Sequence, residues 1–469
     1  MSRQRDILLT FAFFGFVYCF LARAAFHGFP LSGDEYSHLL QAELFARGLL
    51  HSAAPTNSDW FRVDHVVVDD WVRSKYPPGT SALLALGVLL RVPWLVTPVE
   101  GVLTLVLVWT ATRRVLGEKD ARVVVLLLGG APLFAFQAGS FFSHTATSMW
   151  LAAAFAGVSA SATRPRPFCL LVAGLALGCA FLTRPLDAVV FGAALLALRS
   201  SRVMVFAGLG AAPFVVAHLA YQNAQFGSPW TDGYHAYNAS LGPAGEGSML
   251  APSYVLDREQ LAQHLDVVRA LVVDWTVPGT ALLAFLGYAA LRRAGQAEWL
   301  RRFALAFMTL EVAVLFVTQG WVDDGARPRY LSPSLLPLAC LAGPGWRAGA
   351  ALLSERVGRA AVQTVGAVAA LLAAAQLQSF LSTRAPEVSL REGLYRTVAG
   401  RGIRDGIVVV PTPIYARNGP FFDRSVLYVS APPAKAPEEA AAAFPGRAVF
   451  LAREACPRED GRWTLLRIQ

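Results

Sequence analysis

Apolar runs of roughly 15–22 residues recur along this chain to about residue 380, and a run of that length is what a helix needs to cross a bilayer. They fall near 7–26, 96–115, 121–139, 144–161, 168–183, 186–200, 203–222, 275–291, 303–319, 330–345 and 360–380. The chain is therefore expected to be an all-α polytopic membrane protein with about eleven transmembrane helices. Several runs contain Gly or Pro, which membrane helices tolerate when neighbours re-satisfy the backbone. Hydrophobic residues are 55% of the 469 and charged residues 16%, a balance on the membrane side of ordinary usage. A net charge of +9 is often a nucleic-acid signature. Here the arginines stand in short clusters between apolar runs, so nucleic acid is not the expected partner. Cys19, Cys169, Cys179 and Cys340 lie in apolar runs and Cys456 in a polar stretch; they form neither a disulfide framework nor a CxxC metal motif. The first run, after Arg3 and Arg5, is longer than a signal-peptide core and is read as an uncleaved anchor, although Ala22-Arg23-Ala24 resembles a cleavage site.

Loop charges orient the spans. One set of connections carries Arg3/Arg5, Arg113/Arg114/Lys119/Arg122, Arg164/Arg166, Arg199/Arg202, Arg292/Arg293/Arg301/Arg302 and Arg347/Arg356/Arg359. The opposite short connections carry only Arg184, Arg327 and Arg329. The positive-inside rule puts the first set in the cytoplasm of a plasma (inner) membrane protein, and the long stretches 27–95, 223–274 and 381–469 then all fall outside. In 27–95, residues 34–48 have Tyr36, Leu39, Leu40 and Leu44 at helical spacing. Residues 79–95 form a second apolar helix, interrupted by Arg91 and Pro93; both helices are expected to lie in the membrane interface. The bundle is expected to span 1–380. The tail 381–469 has short β-type runs at Ile407–Val410, Val426–Val429, Ala448–Leu451 and Trp463–Ile468, which predict a small external α/β domain.

The chemistry-bearing residues gather in the outer stretches. Gly33-Asp34-Glu35-Tyr36 puts two carboxylates just beyond the first span, where charge is costly. Ser32 with Glu35 fits a capping box, and Asp34 favours the helix dipole; the functional alternative makes Asp34 a base that takes a proton from an acceptor nucleophile. Lys75-Tyr76-Pro77-Pro78-Gly79 places a lysine at the membrane surface, either snorkelling to headgroups or touching a lipid-linked phosphate. His65 with Asp69-Asp70 is compatible with a divalent metal, though no spacing demands one. Arg184-Pro185-Leu186-Asp187 and Arg327-Pro328-Arg329-Tyr330 stand at outer helix ends. They either pair with nearby acids, Asp323 and Asp324 among them, or neutralise charge on a leaving phosphate. His144 has no evident partner, and Asn223 to Trp230 followed by Gly233-Tyr234 reads as a helix exit.

Taken in order, these motifs resemble the GT-C superfamily of integral-membrane glycosyltransferases, in particular the protein O-mannosyltransferase and aminoarabinose (lipid A) transferase group. The resemblance runs over roughly residues 1–345: Asp-Glu after the first span, Lys75-Tyr76-Pro77-Pro78 opening the second juxtamembrane helix, Thr183-Arg184-Pro185, Asn223 through Phe226-Gly227-Ser228-Pro229, and Arg329-Tyr330 before Pro333 and Pro337. It implies a polyprenyl-phosphate-sugar donor, a glycan, lipid or protein acceptor, and catalysis on the extracytoplasmic face. Asp34 in the Asp-Glu motif is implied as the base and Lys75 as a residue that meets the donor phosphate; Arg184, Arg327 and Arg329 are the further phosphate candidates from their position at outer helix ends, and Glu35 is the second catalytic candidate. Tyr36, Tyr76, Tyr330, His65 and Asp70 are the expected substrate-binding residues. A single displacement would invert the sugar's anomeric centre, and no cofactor is required. A transporter or flippase of lipid-linked saccharides is the alternative, and it would place ionisable groups near mid-membrane, where only Glu100 and Glu311 occur. A non-catalytic relative is the third reading.

Overall fold

The computed structural model describes residues 2–162, 166–240, 258–317, 327–412, 418–432, 435–454 and 463–469. Each apolar run named above is mostly helical over its described residues. The chain begins with α1 (Ser2–Phe20), which runs on as a π-helical turn through Leu21–Ala25, then α2 (Gly33–Phe45), α3 (Pro78–Leu89), α4 (Val96–Leu116), α5 (Glu118–Gly129) and α6 (Pro132–Gly139). Helices α7 (Ser143–Ala160), α8 (Pro167–Thr183), α9 (Pro185–Ala194), α10 (Ser201–Phe226) and α11 (Gly233–Ser240) follow. The series ends with α12 (Arg258–Val273), α13 (Thr280–Arg293), α14 (Glu298–Val317), α15 (Leu335–Arg356) and α16 (Arg359–Gly400). Among the described residues four helical stretches are long and apolar enough to cross a membrane: Gln4–Ala25, Pro93–Leu116, Ser201–Phe226 and Arg359–Gly400. Counting α5 and α6 as one broken span gives a fifth. These two meet at a 64° bend, because Pro132 has no N–H to continue the helical ladder.

The bundle core joins α1, α4 to α9, α14 and α15, filled by buried rings such as Phe134, Phe136, Phe155, Phe191, Phe303 and Phe307. Prolines set where the helices start: Pro78, Pro132, Pro167 and Pro185 each sit in a first helical turn, the position where a missing N–H costs nothing.

The outer stretch 27–95 holds more than its two helices. Strands β1 (Ser52–Ala53), β2 (Val66–Val68) and β3 (Trp71–Ser74) form an antiparallel sheet in the order β1-β3-β2. All four β-type runs of the tail are strands: β4 (Gly406–Val410), β5 (Val426–Ser430), β6 (Val449–Glu454) and β7 (Trp463–Arg467). The sheet order is β5-β4-β6-β7, with β4 parallel to both neighbours and β7 antiparallel to β6. Strand β4 is buried throughout, as expected of a central parallel strand covered on both faces. Val408 and Val410 pack with Leu390, Leu394 and Val398 of α16 and with Tyr36, Leu40 and Leu44 of α2. Ile407 and Val409 pack with Trp60 and Phe61 of the first outer stretch. Helix α16 is 42 residues long, about 63 Å at 1.5 Å per residue, and passes residue 380 unbroken.

Candidate active site

Helix α2 starts where it does because Ser32 caps it: its Oγ accepts the Glu35 N–H at 3.4 Å. Gly33, the first helical residue, lies so close to the next stretch that an added Cβ would come within 2.8 Å of the Asp64 Cβ. The same helix is sewn to the β2–β3 hairpin. Ser37 donates to the His65 carbonyl at 2.7 Å, its hydroxyl lies 2.7 Å from that of Ser74, and the Gln41 side-chain Oε1 accepts the Ser74 N–H at 3.0 Å. The base of the hairpin, His65 on one side and Lys75-Tyr76 on the other, is thereby held against the first turn of α2.

Asp34 is the centre of what results. The Tyr76 hydroxyl donates to Oδ1, His65 Nε2 lies 3.8 Å from the same oxygen, and an Arg329 guanidinium nitrogen lies 3.6 Å from Oδ2. Burial would raise the pKa of this carboxyl, but Arg329, His65, the Tyr76 hydrogen bond and Lys75 together hold it below the usual carboxylate range. Asp34 is therefore ionised at neutral pH.

Lys75 follows strand β3 and is 8% exposed. Its ammonium sits 5.2, 4.9 and 4.8 Å from the ring centroids of Tyr76, Tyr234 and Tyr237, a three-sided aromatic cage. Burial pulls its pKa down to about 8, against the raising effect of Asp34 and Asp64. The cage depends on Gly233: a Cβ there would run into the Lys75 carbonyl, so only a glycine lets α11 come this near. Arg329 is also buried; its guanidinium lies 5.0 Å from the ring centroids of both Phe142 and Tyr330 and donates to the Tyr330 hydroxyl at 3.1 Å. Arg184 caps α9 and pairs with Asp187, and its guanidinium stands 5.8 Å from the Tyr330 ring.

The structure thus brings together Asp34, His65, Lys75, Tyr76, Arg329 and Tyr330, with Arg184 alongside through Tyr330. Other expected site residues stand apart. Glu35 is fully buried and its oxygens are taken: Oε2 accepts the Leu31 N–H at 2.7 Å and Oε1 the Phe141 N–H at 2.7 Å. It clamps α2 to the turn before α7 rather than reaching toward Lys75. Burial outweighs these hydrogen bonds and Arg391, and its pKa rises to about 7. Tyr36 faces away, donating to the Asn418 carbonyl at 2.8 Å and packing on the C-terminal sheet. Asp70 is exposed at the apex of the β2–β3 hairpin, about 16 Å of extended chain from Lys75. The Arg327 side chain, Asp323 and Asp324 lie outside the described residues. Among the described residues no group of three His, Cys, Asp or Glu could hold a metal.

Sequence reasoning missed Tyr237, His38 and the role of Tyr234. Tyr234 and Tyr237 are three apart and His38 is four beyond Asp34, spacings that share a helix face; the signal was present, but it becomes specific only once α11 is seen against Lys75.

The family model of dolichyl-phosphate-mannose-protein mannosyltransferase matches residues 75–220. Among solved structures, the chain is similar to ArnT from Cupriavidus metallidurans. In the apo state the TM-score is 0.62 at 13% identity, covering 100% of this chain and 99% of that one. Bound to undecaprenyl phosphate, the values are 0.61, 12%, 99% and 98%. It is also similar to the archaeal oligosaccharyltransferase AglB from Archaeoglobus fulgidus in complex with an inhibitory peptide and a dolichol-phosphate, with a TM-score of 0.50 at 12% identity over 89% of this chain and 64% of that one. This chain spans under two thirds of that protein's length. No curated protein matches the chain. The resemblance read from the motif order is borne out by that family match over 75–220 and by the fold shared with ArnT.

Proposed function

We propose that this protein is an inverting glycosyltransferase that moves a sugar from a polyprenyl-phosphate donor to an acceptor hydroxyl at the extracytoplasmic face. In this reading all eleven apolar runs cross the membrane, 27–95 and 223–274 are outer loops, and 381–469 is an external domain. The observation that carries it is one ionised carboxylate, Asp34, held among Tyr76, His65 and Arg329 with the caged Lys75 beside it.

The acceptor O–H attacks C1 of the sugar, its proton passes to Asp34, and the C1–O bond to phosphate breaks with the electron pair leaving on the lipid phosphate. Lys75 and Arg329 receive that charge, with Arg184 and Arg327 as further cations. A carboxylate this acidic is a weak base in the free protein. The donor phosphate, entering between the same cations, offsets their pull and lifts Asp34 toward a useful basicity. Glu35 acts as a positioning residue that fixes the start of α2. Undecaprenyl phosphate, named in the ArnT complex, is the lipid carrier we assign; no step of this scheme calls on a metal ion.

The test is mass spectrometry of cell-envelope glycans from a deletion strain carrying wild-type or Asp34→Asn protein at matched membrane levels. The wild type restores a sugar that the deletion removes, and the variant restores about 100-fold less or none. Unchanged glycans on deletion, or full restoration by Asp34→Asn, would overturn the reading.

A further inference from the structure

Two imidazoles beside the Asp34 cluster are not used by the mechanism above. His38 lies one turn beyond Asp34 on α2; it is 2% exposed, with its ring centroid 4.5 Å from that of Tyr76. His144 opens α7; it is 3% exposed, with its ring 6.2 Å from that of Tyr330. His38 Nδ1 and both nitrogens of His144 have no hydrogen-bond partner among the described residues. The two rings are in electrostatic reach of one another and Arg184 acts on both; Asp34, His65 and Lys75 also act on His38, and Arg329 on His144.

Buried polar nitrogens are destabilising unless a ligand or a water supplies the missing bonds. The nature of that ligand follows from position. In the proposed reaction C1 of the sugar lies between Asp34 and the phosphate-holding cations, so the ring hydroxyls project into whatever flanks that point. His38 is in electrostatic reach of Asp34 and Lys75 and His144 of Arg184 and Arg329, so both stand beside that point, next to the rings of Tyr76 and Tyr330. Burial also keeps His38 neutral, its pKa lowered to about 4. A neutral imidazole carries one donor and one acceptor nitrogen, which suits a hydroxyl and serves a phosphate poorly.

We propose that His38 and His144 bind ring hydroxyls of the donor sugar and determine which sugar is accepted. This rests on the glycosyltransferase reading and deepens it. The full-length protein in lipid nanodiscs is titrated with undecaprenyl phosphate and with undecaprenyl phosphate linked to mannose, glucose, galactose or 4-amino-4-deoxyarabinose. His38→Leu and His144→Leu should each weaken the tightest sugar-bearing lipid tenfold or more while leaving the sugar-free lipid within twofold. His38→Gln and His144→Gln, which keep a donor and an acceptor, should recover part of the loss or reorder the sugars. Lys75→Ala should weaken every lipid. Equal weakening of both kinds of lipid by the histidine variants, or no weakening of either, overturns the assignment while leaving the transferase reading intact. A wild-type protein that binds none of these lipids defeats that reading, and the histidine assignment falls with it.

Discussion

Lys75 shows how much a single side chain can report. Caged by three tyrosines and titrating at about 8, it is charged below that pH and loses its proton above it. Since the charged form is the one that meets phosphate, kcat/KM for the donor should fall on the alkaline side with an apparent pKa near 8 in the free enzyme. Lys75→Arg keeps the charge at any accessible pH, so its profile should stay flat to about pH 10, at a rate about tenfold lower from the altered fit. An alkaline limb that persists unchanged in the arginine variant would assign it to another group. Asp34, Lys75 and Arg329 were legible in the sequence because a charge at a membrane edge is expensive and therefore conspicuous. Tyr36 and Asp70 were misplaced for the opposite reason: residues two apart, as Asp34 and Tyr36 are, point to nearly opposite sides of a helix, and a hairpin carries its tip away from its base. Glu35 was half-read, since the capping pattern with Ser32 was visible but its bond to the Phe141 N–H joins residues 106 apart.

At the scale of elements, the site is an assembly of two short helices, α2 and α11, pressed onto one hairpin, with Arg329 and Tyr330 supplied by the turn before α15. Close approach is what holds it, so Gly233→Ala should push α11 off the Lys75 carbonyl, cost about 1–3 kcal/mol and lower affinity for undecaprenyl phosphate. Gly208, inside α10 with open space around it, is the control: alanine there should leave the thermal midpoint and binding unchanged or slightly raised. Equal behaviour of the two variants would show that α11 does not build the cage. The long helices were readable because an apolar run of about 20 residues has few other fates. The first sheet was not, since Val66–Val68 is too short to show alternation and its pairing with β3 is fixed by Ser37 and Gln41 from α2. Helix α12 escaped because its mixed polar sequence resembled the loop around it.

For the whole molecule, the arginine pattern makes a prediction about sidedness. In a background without native cysteines, Asp70→Cys at the exposed hairpin apex should react with a membrane-impermeant maleimide in intact cells, and Lys119→Cys in the first turn of α5 only after permeabilisation. The reverse pattern would turn the proposed site toward the cytoplasm. The β content of the tail was legible run by run, yet its attachment was not: Trp463 Nε1 donates to the Leu390 carbonyl at 2.7 Å, so α16 belongs to bundle and sheet alike. Helix α2 is shared in the same way. Asp34 and His38 look into the cluster, while Tyr36, Leu40 and Leu44 are embedded in the packing of the C-terminal sheet. One thirteen-residue helix thus ties the C-terminal packing to the turn that carries Asp34. Loosening the C-terminal packing on this helix should therefore be felt at the carboxylate one turn away.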